Sequence, residues 1–169
     1  MVVLQRVYTM ASPWGGIVEL KRKEILLLSY FRHNARLALT KISKEIGMPV
    51  STIFDKLKKY EETIITKHTS LLDFNKLGYA TRASIFLRTP PQNRASLSSF
   101  LRGHPSVNTV YRINNGYDFM IDGIFRTVQG MEEFLEHLEI DRGVTQKSVH
   151  FVIEEVSRER FMAEPKLVQ

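Results

Sequence analysis

The apolar residues of this 169-residue chain follow a helical period from about residue 21 to residue 60, and a strand-and-helix alternation after residue 78. The change of period constrains the fold more than any single motif, since helix on helix and helices on a sheet are different layer arrangements. With 43% apolar content the chain could form one mid-sized domain or two small ones, and the asymmetry of charge along it favours two. The expected division is an N-terminal extension over residues 1–19, a helical domain over 20–68, a hinge over 69–78, an α/β domain over 79–156 and a tail over 157–169.

The helical segment also carries the charge. Residues 21–68 hold 11 Lys or Arg against 5 acids, whereas residues 1–20 and 69–169 are each balanced, so the net +6 of the chain resides in this segment. A polyanion would be drawn to one end of the molecule. Within it, Ile25, Leu28 and Phe31, with Leu27 beside them, mark a first helix, and His33-Asn34 signals a turn. A second helix is expected to start at Thr40, with its hydroxyl as cap, to bury Ile42 and Ile46, and to stop at Gly47. A third begins near Pro49 and sets Ile53, Leu57 and Tyr60 on one stripe. Its other side presents Ser51, Thr52, Asp55, Lys56 and Lys59. Two short helices around a Gly turn, with hydroxyls at the start of the second and lysines farther along, make a helix-turn-helix suited to double-stranded DNA. β-Branched residues at 63–66 and 69–72 predict a small wing or strand after it.

Beyond residue 78 the expected order is strand (79–89), helix (93–101), strand (107–113), strand (117–125), helix (127–140) and strand (147–156). Pro90-Pro91 ends the first strand, and Asn114-Asn115-Gly116 turns the central hairpin. This order is the split βαβ of a ferredoxin-like sheet, so the fold class is α+β: an N-terminal winged helix-turn-helix domain and a C-terminal ferredoxin-like βαββαβ domain. Both helices should cover one sheet face. Met120 and Ile124 alternate with Phe119, Ile121 and Phe125, and Val152 and Val156 with Val149, Phe151 and Ile153, so the second face also reads as apolar. A homodimer that covers it follows.

Catalytic constellations are missing. The five histidines (33, 68, 104, 137, 150) lack metal spacing, no Gly-rich phosphate loop or nucleophile elbow occurs, and there is no cysteine for a disulfide or thiolate ligand. No catalytic residue, metal site or cofactor is therefore expected. The acids Glu132, Glu133, Glu136 and Glu139 read as a solvated helix face. No apolar run approaches the roughly 18 residues of a membrane span, and the first twenty residues do not form a signal peptide, so a cytoplasmic protein is expected. Residues 1–19, with Ser12-Pro13, Trp14 and Gly15-Gly16, read as an arm, an added strand or sequence upstream of the true start.

Several short stretches, in order and spacing, resemble the leucine-responsive regulator/AsnC (feast/famine) family of transcription regulators. They are Asn-Ala-Arg at 34–36, Ile-Ser-Lys-Glu-Ile-Gly at 42–47, Ser-Thr-Ile at 51–53 and the hinge Leu-Asp-Phe-Asn-Lys-Leu-Gly at 72–78. In the second half they are Pro-Ser-Val at 105–107, Gly-Tyr-Asp at 116–118 and Gly143-Val144. The resemblance implies a DNA-binding domain followed by an effector-sensing, dimer-forming domain, assembled as a homodimer, tetramer or octamer. It implies a small amino-acid-like ligand near Gly116, Tyr117 and Asp118. There Gly116 would let backbone amides face a carboxylate, and Asp118 would receive an ammonium. On the helix-turn-helix, Ser51, Thr52 and Asp55 are expected to face bases, and Arg36, Lys56, Lys58 and Lys59 to hold phosphates.

The chain departs from the family pattern at Pro49, which offers no side-chain cap, at Asp55, where a basic residue is frequent, and at Thr63, in place of the glycine usual before the wing. Two other readings remain: a DNA-binding architectural protein blind to effectors, and an enzyme like the sirohaem decarboxylases that share the two-domain plan. Tyr111, Arg112 and His104 would serve the latter, but residues 118–121 are Asp-Phe-Met-Ile rather than the Asn-Leu-Trp pattern of those enzymes.

Overall fold

The computed structural model describes residues 8–12 and 16–168, and the expectations for residues 1–7 and for Trp14 lie outside the described residues. The chain divides into two compact units, one formed by residues 1–70 and 156–169, the other by residues 71–155.

The first unit opens with two antiparallel strands, β1 (Tyr8–Ser12) and β2 (Gly16–Leu20), and continues with α1 (Arg22–His33), α2 (Leu39–Ile46) and α3 (Val50–Thr63). Its core joins Leu20, Ile25, Leu27, Leu28 and Phe31 to Ile42, Ile46, Ile53 and Tyr60, so the expected apolar stripes do meet. Glu24 caps α1 by accepting the Lys21 backbone N–H (2.8 Å). Gly47 ends α2 with a φ of 60°, a left-handed conformation that costs glycine little.

Two expectations fail here. α2 begins one residue earlier than predicted, with Ala38 at the cap and no side-chain hydrogen bond, so Thr40 lies inside the first turn. No strand forms over residues 64–72: Thr63 ends the helix by donating its hydroxyl to the Lys59 carbonyl (2.7 Å), and Ile64 and Ile65 pack on the helical core instead of pairing as a wing. A short α6 (Pro165–Val168) closes the chain, and the segment before it is tied to α1, where Arg32 pairs with Glu159 (2.9 Å).

The second unit contains β3 (Thr81–Arg88), α4 (Arg94–Gly103), β4 (Val107–Arg112), β5 (Phe119–Phe125), α5 (Val128–Arg142) and β6 (Gln146–Phe151). All pairings are antiparallel in the order β4-β5-β3-β6, the ferredoxin-like arrangement read from the sequence. Ala83, Ile85, Leu87, Phe119, Ile121 and Phe125 point from the sheet onto Leu97, Leu101, Met131, Phe134, Leu135 and Leu138 of the two helices. Thr127 caps α5 by accepting the Gly130 N–H (3.1 Å).

The opposite sheet face is less apolar than predicted. Phe86 and Met120 are half-buried and paired in register, but Arg82 forms a two-pronged ion pair with Asp122 (both 2.9 Å) on the same face and also contacts Glu155. The last strand is shorter than expected, since β6 ends at Phe151 and Ile153 is 98% exposed.

Candidate nucleic-acid interface and ligand cleft

The first candidate surface is built on α3. Ile53 and Tyr60 face inward and fix the rotation of the helix, which leaves Ser51, Asp55, Lys58 and Lys59 exposed and Thr52 half-buried. Arg36 is exposed in the loop before α2, where its backbone N–H donates to Asn34 Oδ1 (2.9 Å). Pro49 occupies the cap position of α3 and no side chain caps the helix, as its residue type dictates.

Lys56 is half-buried. Its ammonium donates to Glu24 Oε1 (2.6 Å), to which the Tyr60 hydroxyl also donates (3.0 Å). Burial pushes the Glu24 carboxyl up, but the Lys56 ammonium, the Lys21 N–H and the Tyr60 hydroxyl outweigh it and hold the carboxyl below its ordinary value. The same arrangement raises the Tyr60 phenol, through burial first and the Glu24 contact second. Lys56 thus links α3 to α1 through its ion pair with Glu24.

Sequence reading missed Phe54, which is 59% exposed. It follows Ser51 by three residues and precedes Lys58 by four, which sets it on the outward face of α3. The available signal was its position off the Ile53, Leu57, Tyr60 stripe.

The second candidate surface surrounds the β4–β5 turn. Asn115 and Gly116 adopt positive φ (63° and 97°), Ile113 N–H donates to the Asp118 carbonyl (3.0 Å), and Asp118 N–H donates to the Leu87 carbonyl (2.8 Å). Gly116 is exposed, and Tyr117 lies half-buried with its ring 5.8 Å from that of Phe86. Asp118 is only 7% exposed: one carboxylate oxygen accepts the Thr89 N–H (2.9 Å) and the other pairs with Arg94 Nη2 (2.8 Å). Asp118 is thus covered and has one partner on each oxygen, so an ammonium would have to share it with Arg94.

Beside this turn lies an open cleft of about 640 Å³ whose walls include Arg88, Arg94, Arg112, Gly116, Tyr117 and Asp118. A second cleft of about 630 Å³ runs between α4 and β4, lined by Ser98, Arg102, Val110 and Phe119, and shares Pro91, Arg94 and Arg112 with the first. His104 is not part of either. It packs on Phe134 (4.6 Å between centroids) and Phe100 (5.3 Å), so the Arg112 and His104 combination that a tetrapyrrole enzyme would use is not assembled. Among the described residues no group of His, Asp or Glu is arranged to hold a metal ion, and no helix is long and apolar enough to cross a membrane.

Residues 82–162 match the family described as Lrp/AsnC ligand binding domain. The chain is 29% identical over 150 residues, 88% of its own length and 99% of the relative's, to an HTH-type transcriptional regulator of Pyrococcus furiosus. It is 27% identical over 119 residues, 70% of its own length and 77% of the relative's, to the HTH-type transcriptional regulator FL11 of Pyrococcus horikoshii. Among solved structures it is similar to a Neisseria meningitidis transcriptional regulator in complex with L-Met (TM-score 0.77, 20% identity, 82% of this chain and 93% of that one). It is also similar to LrpC of Bacillus subtilis (TM-score 0.75, 16% identity, 83% and 99%).

Proposed function

Since the chain belongs to the leucine-responsive regulator/AsnC family of DNA-binding transcription regulators, we propose that it acts as a homodimer whose paired α3 helices enter successive major-groove segments of a two-fold symmetric site. The observation that carries this reading is the outward face of α3, fixed by buried Ile53 and Tyr60, in the segment that holds the net positive charge of the chain. Ser51, Thr52 and Asp55 face the bases in this reading. Arg36, Lys58 and Lys59 hold phosphates, and Lys56 is withdrawn from that set by its bond to Glu24. Asp55 suits a cytosine amine, a base-edge donor from which a carboxylate accepts.

The second unit senses a small ligand at the cleft beside Gly116, Tyr117 and Asp118. A relative solved with L-Met supports a small amino-acid-like ligand. Here Gly116 and Tyr117 form the wall, while Asp118 holds Arg94 and the Thr89 amide in place. No step of this reading is catalytic, and no cofactor is invoked.

The test is selection from a random duplex pool at two salt concentrations, with and without mixed amino acids. Enrichment of a two-fold symmetric motif is expected, with a shift when ligand is added. Failure to retain duplex at low salt would overturn the DNA-binding reading. A motif that no ligand shifts would overturn the sensing half alone and favour an effector-blind architectural protein.

A further inference from the structure

The second unit, residues 71–155, carries nine Lys or Arg against ten acids, yet the two joined clefts gather Arg88, Arg94, Arg102 and Arg112 around a single carboxylate, Asp118. Like charges concentrated at one place in a unit of nearly balanced charge repel one another and lower stability, so they call for an anionic occupant. Asp118 does not neutralise the group, because it lies at one end and pairs with Arg94 alone among the four. Arg94 also keeps a buried Nε without a hydrogen-bond partner. Arg112 stands over the Phe119 ring (5.7 Å to the centroid), where no carboxylate meets it, and the Arg102 Nε reaches only the Ser98 carbonyl at 3.4 Å.

We infer that the ligand of this chain is a compact dianion, a dicarboxylate, which lays one carboxylate in the cleft beside the β4–β5 turn and the other between α4 and β4. This rests on the sensing role proposed above and specifies its ligand class. Guanidinium groups take carboxylates in a two-pronged fork, and two clefts that share Arg94 and Arg112 offer such forks at both ends of one short molecule. An α-ammonium contributes little, since both Asp118 oxygens are already engaged. A diacid with or without an amino group is therefore equally suitable, and a neutral amino acid leaves half of the arginines unpaired.

Calorimetry on the full chain decides this with glutarate, glutamate, glutamine, leucine and inorganic phosphate as probes, on wild type and on Arg102→Gln and Arg112→Gln. Glutarate and glutamate are expected to bind at least about tenfold more tightly than glutamine or leucine; Arg102→Gln, which lines only the cleft between α4 and β4, should weaken the diacids by about tenfold and leave glutamine unchanged, whereas Arg112→Gln, in both clefts, should weaken diacids and glutamine alike. Binding of leucine or glutamine as tightly as glutarate would overturn the inference and leave the sensing role intact. Tighter binding of phosphate than of either diacid would overturn the dicarboxylate assignment and keep only an anion site. If no probe binds, and the two substitutions instead lower the salt dependence of duplex binding, the arginines serve DNA and both readings fall.

Discussion

Two lysines three residues apart on one helix have different tasks, and that difference is set by what lies inward of each. Lys56 meets Glu24 across the α1–α3 contact, half-buried, whereas Lys59 is exposed. Lys56→Ala is expected to lower stability by about 1 kcal/mol in urea unfolding, since the pair is only partly screened from water. It should leave the salt slope of duplex binding at the wild-type value. Lys59→Ala should do the reverse, with stability unchanged and the slope reduced by about one. The sequence could not separate the two, because the acid that claims Lys56 lies on another helix. A second residue-scale expectation concerns His104. Burial, with like-charge repulsion from His137, holds its imidazole below the ordinary 6.5, and its Nδ1 accepts the Ser106 N–H. The folded state thus favours neutral imidazole, and between the folded and unfolded values the unfolded chain binds more protons. Stability from this group is full above about pH 6.5 and declines as pH falls toward the folded value. Urea midpoints between pH 7.5 and 5 should show that decline, and His104→Gln should flatten it.

At the scale of elements, what was legible followed from local chemistry. Gly47 ends α2 in a left-handed conformation and Asn115-Gly116 closes the hairpin, each at the position its residue type announced, and Gly143 ends α5 in the same left-handed way. Gly143 is the most constrained of these: its φ is 67°, and a Cβ there would stand 2.2 Å from Asn93 Nδ2. Gly143→Ala should therefore cost about 1–2 kcal/mol in urea unfolding. Adding Asn93→Ala should recover the part due to the clash and leave the backbone strain. Element ends that depend on a partner strand or helix were not legible. The alternating apolar pattern at 152–156 continues past β6, yet Phe151 already pairs with Ala83 near the start of β3, so little strand remains to pair with it. Likewise the β-branched residues at 63–66 favour a strand by type, but Ile64 and Ile65 find burial on the helical core without pairing. The missing cap of α2 gives an expectation of the opposite sign. Ala38 has extended backbone (φ −62°, ψ 132°), the conformation a capping serine uses, so Ala38→Ser should stabilise the first unit by about 1 kcal/mol, read as a raised thermal midpoint.

For the whole molecule, the proposed DNA site requires two copies of α3, and the surface that joins the copies should lie where the second unit leaves apolar groups uncovered. On the sheet face away from α4 and α5, Met120 of the inner strand β5 is in register with Phe86 on one side and Tyr111 on the other. Phe86 contacts the rings of Tyr117 (5.8 Å) and His150 (5.5 Å), while the Arg82–Asp122 ion pair occupies the far end of the same face. That combination, an aromatic and methionine centre beside a paired charge, is the anatomy of a subunit contact more than of a solvated sheet. A lysine at position 120 would place an unpaired charge in the middle of it without disturbing the helix-covered core, which begins with Phe119 and Ile121 on the other side. Met120→Lys is accordingly expected to sediment as a monomer at micromolar concentration with an unchanged far-ultraviolet circular dichroism spectrum. Each α3 would retain its own contacts with a half-site. Affinity for the full symmetric site should nonetheless fall by about 100-fold or more, because the second half-site is no longer held at high effective concentration. A variant that remains dimeric would move the subunit contact to another surface. One that becomes monomeric with full-site affinity unchanged would show that a single α3 suffices, and the two-fold symmetry proposed for the DNA site would then have no structural basis.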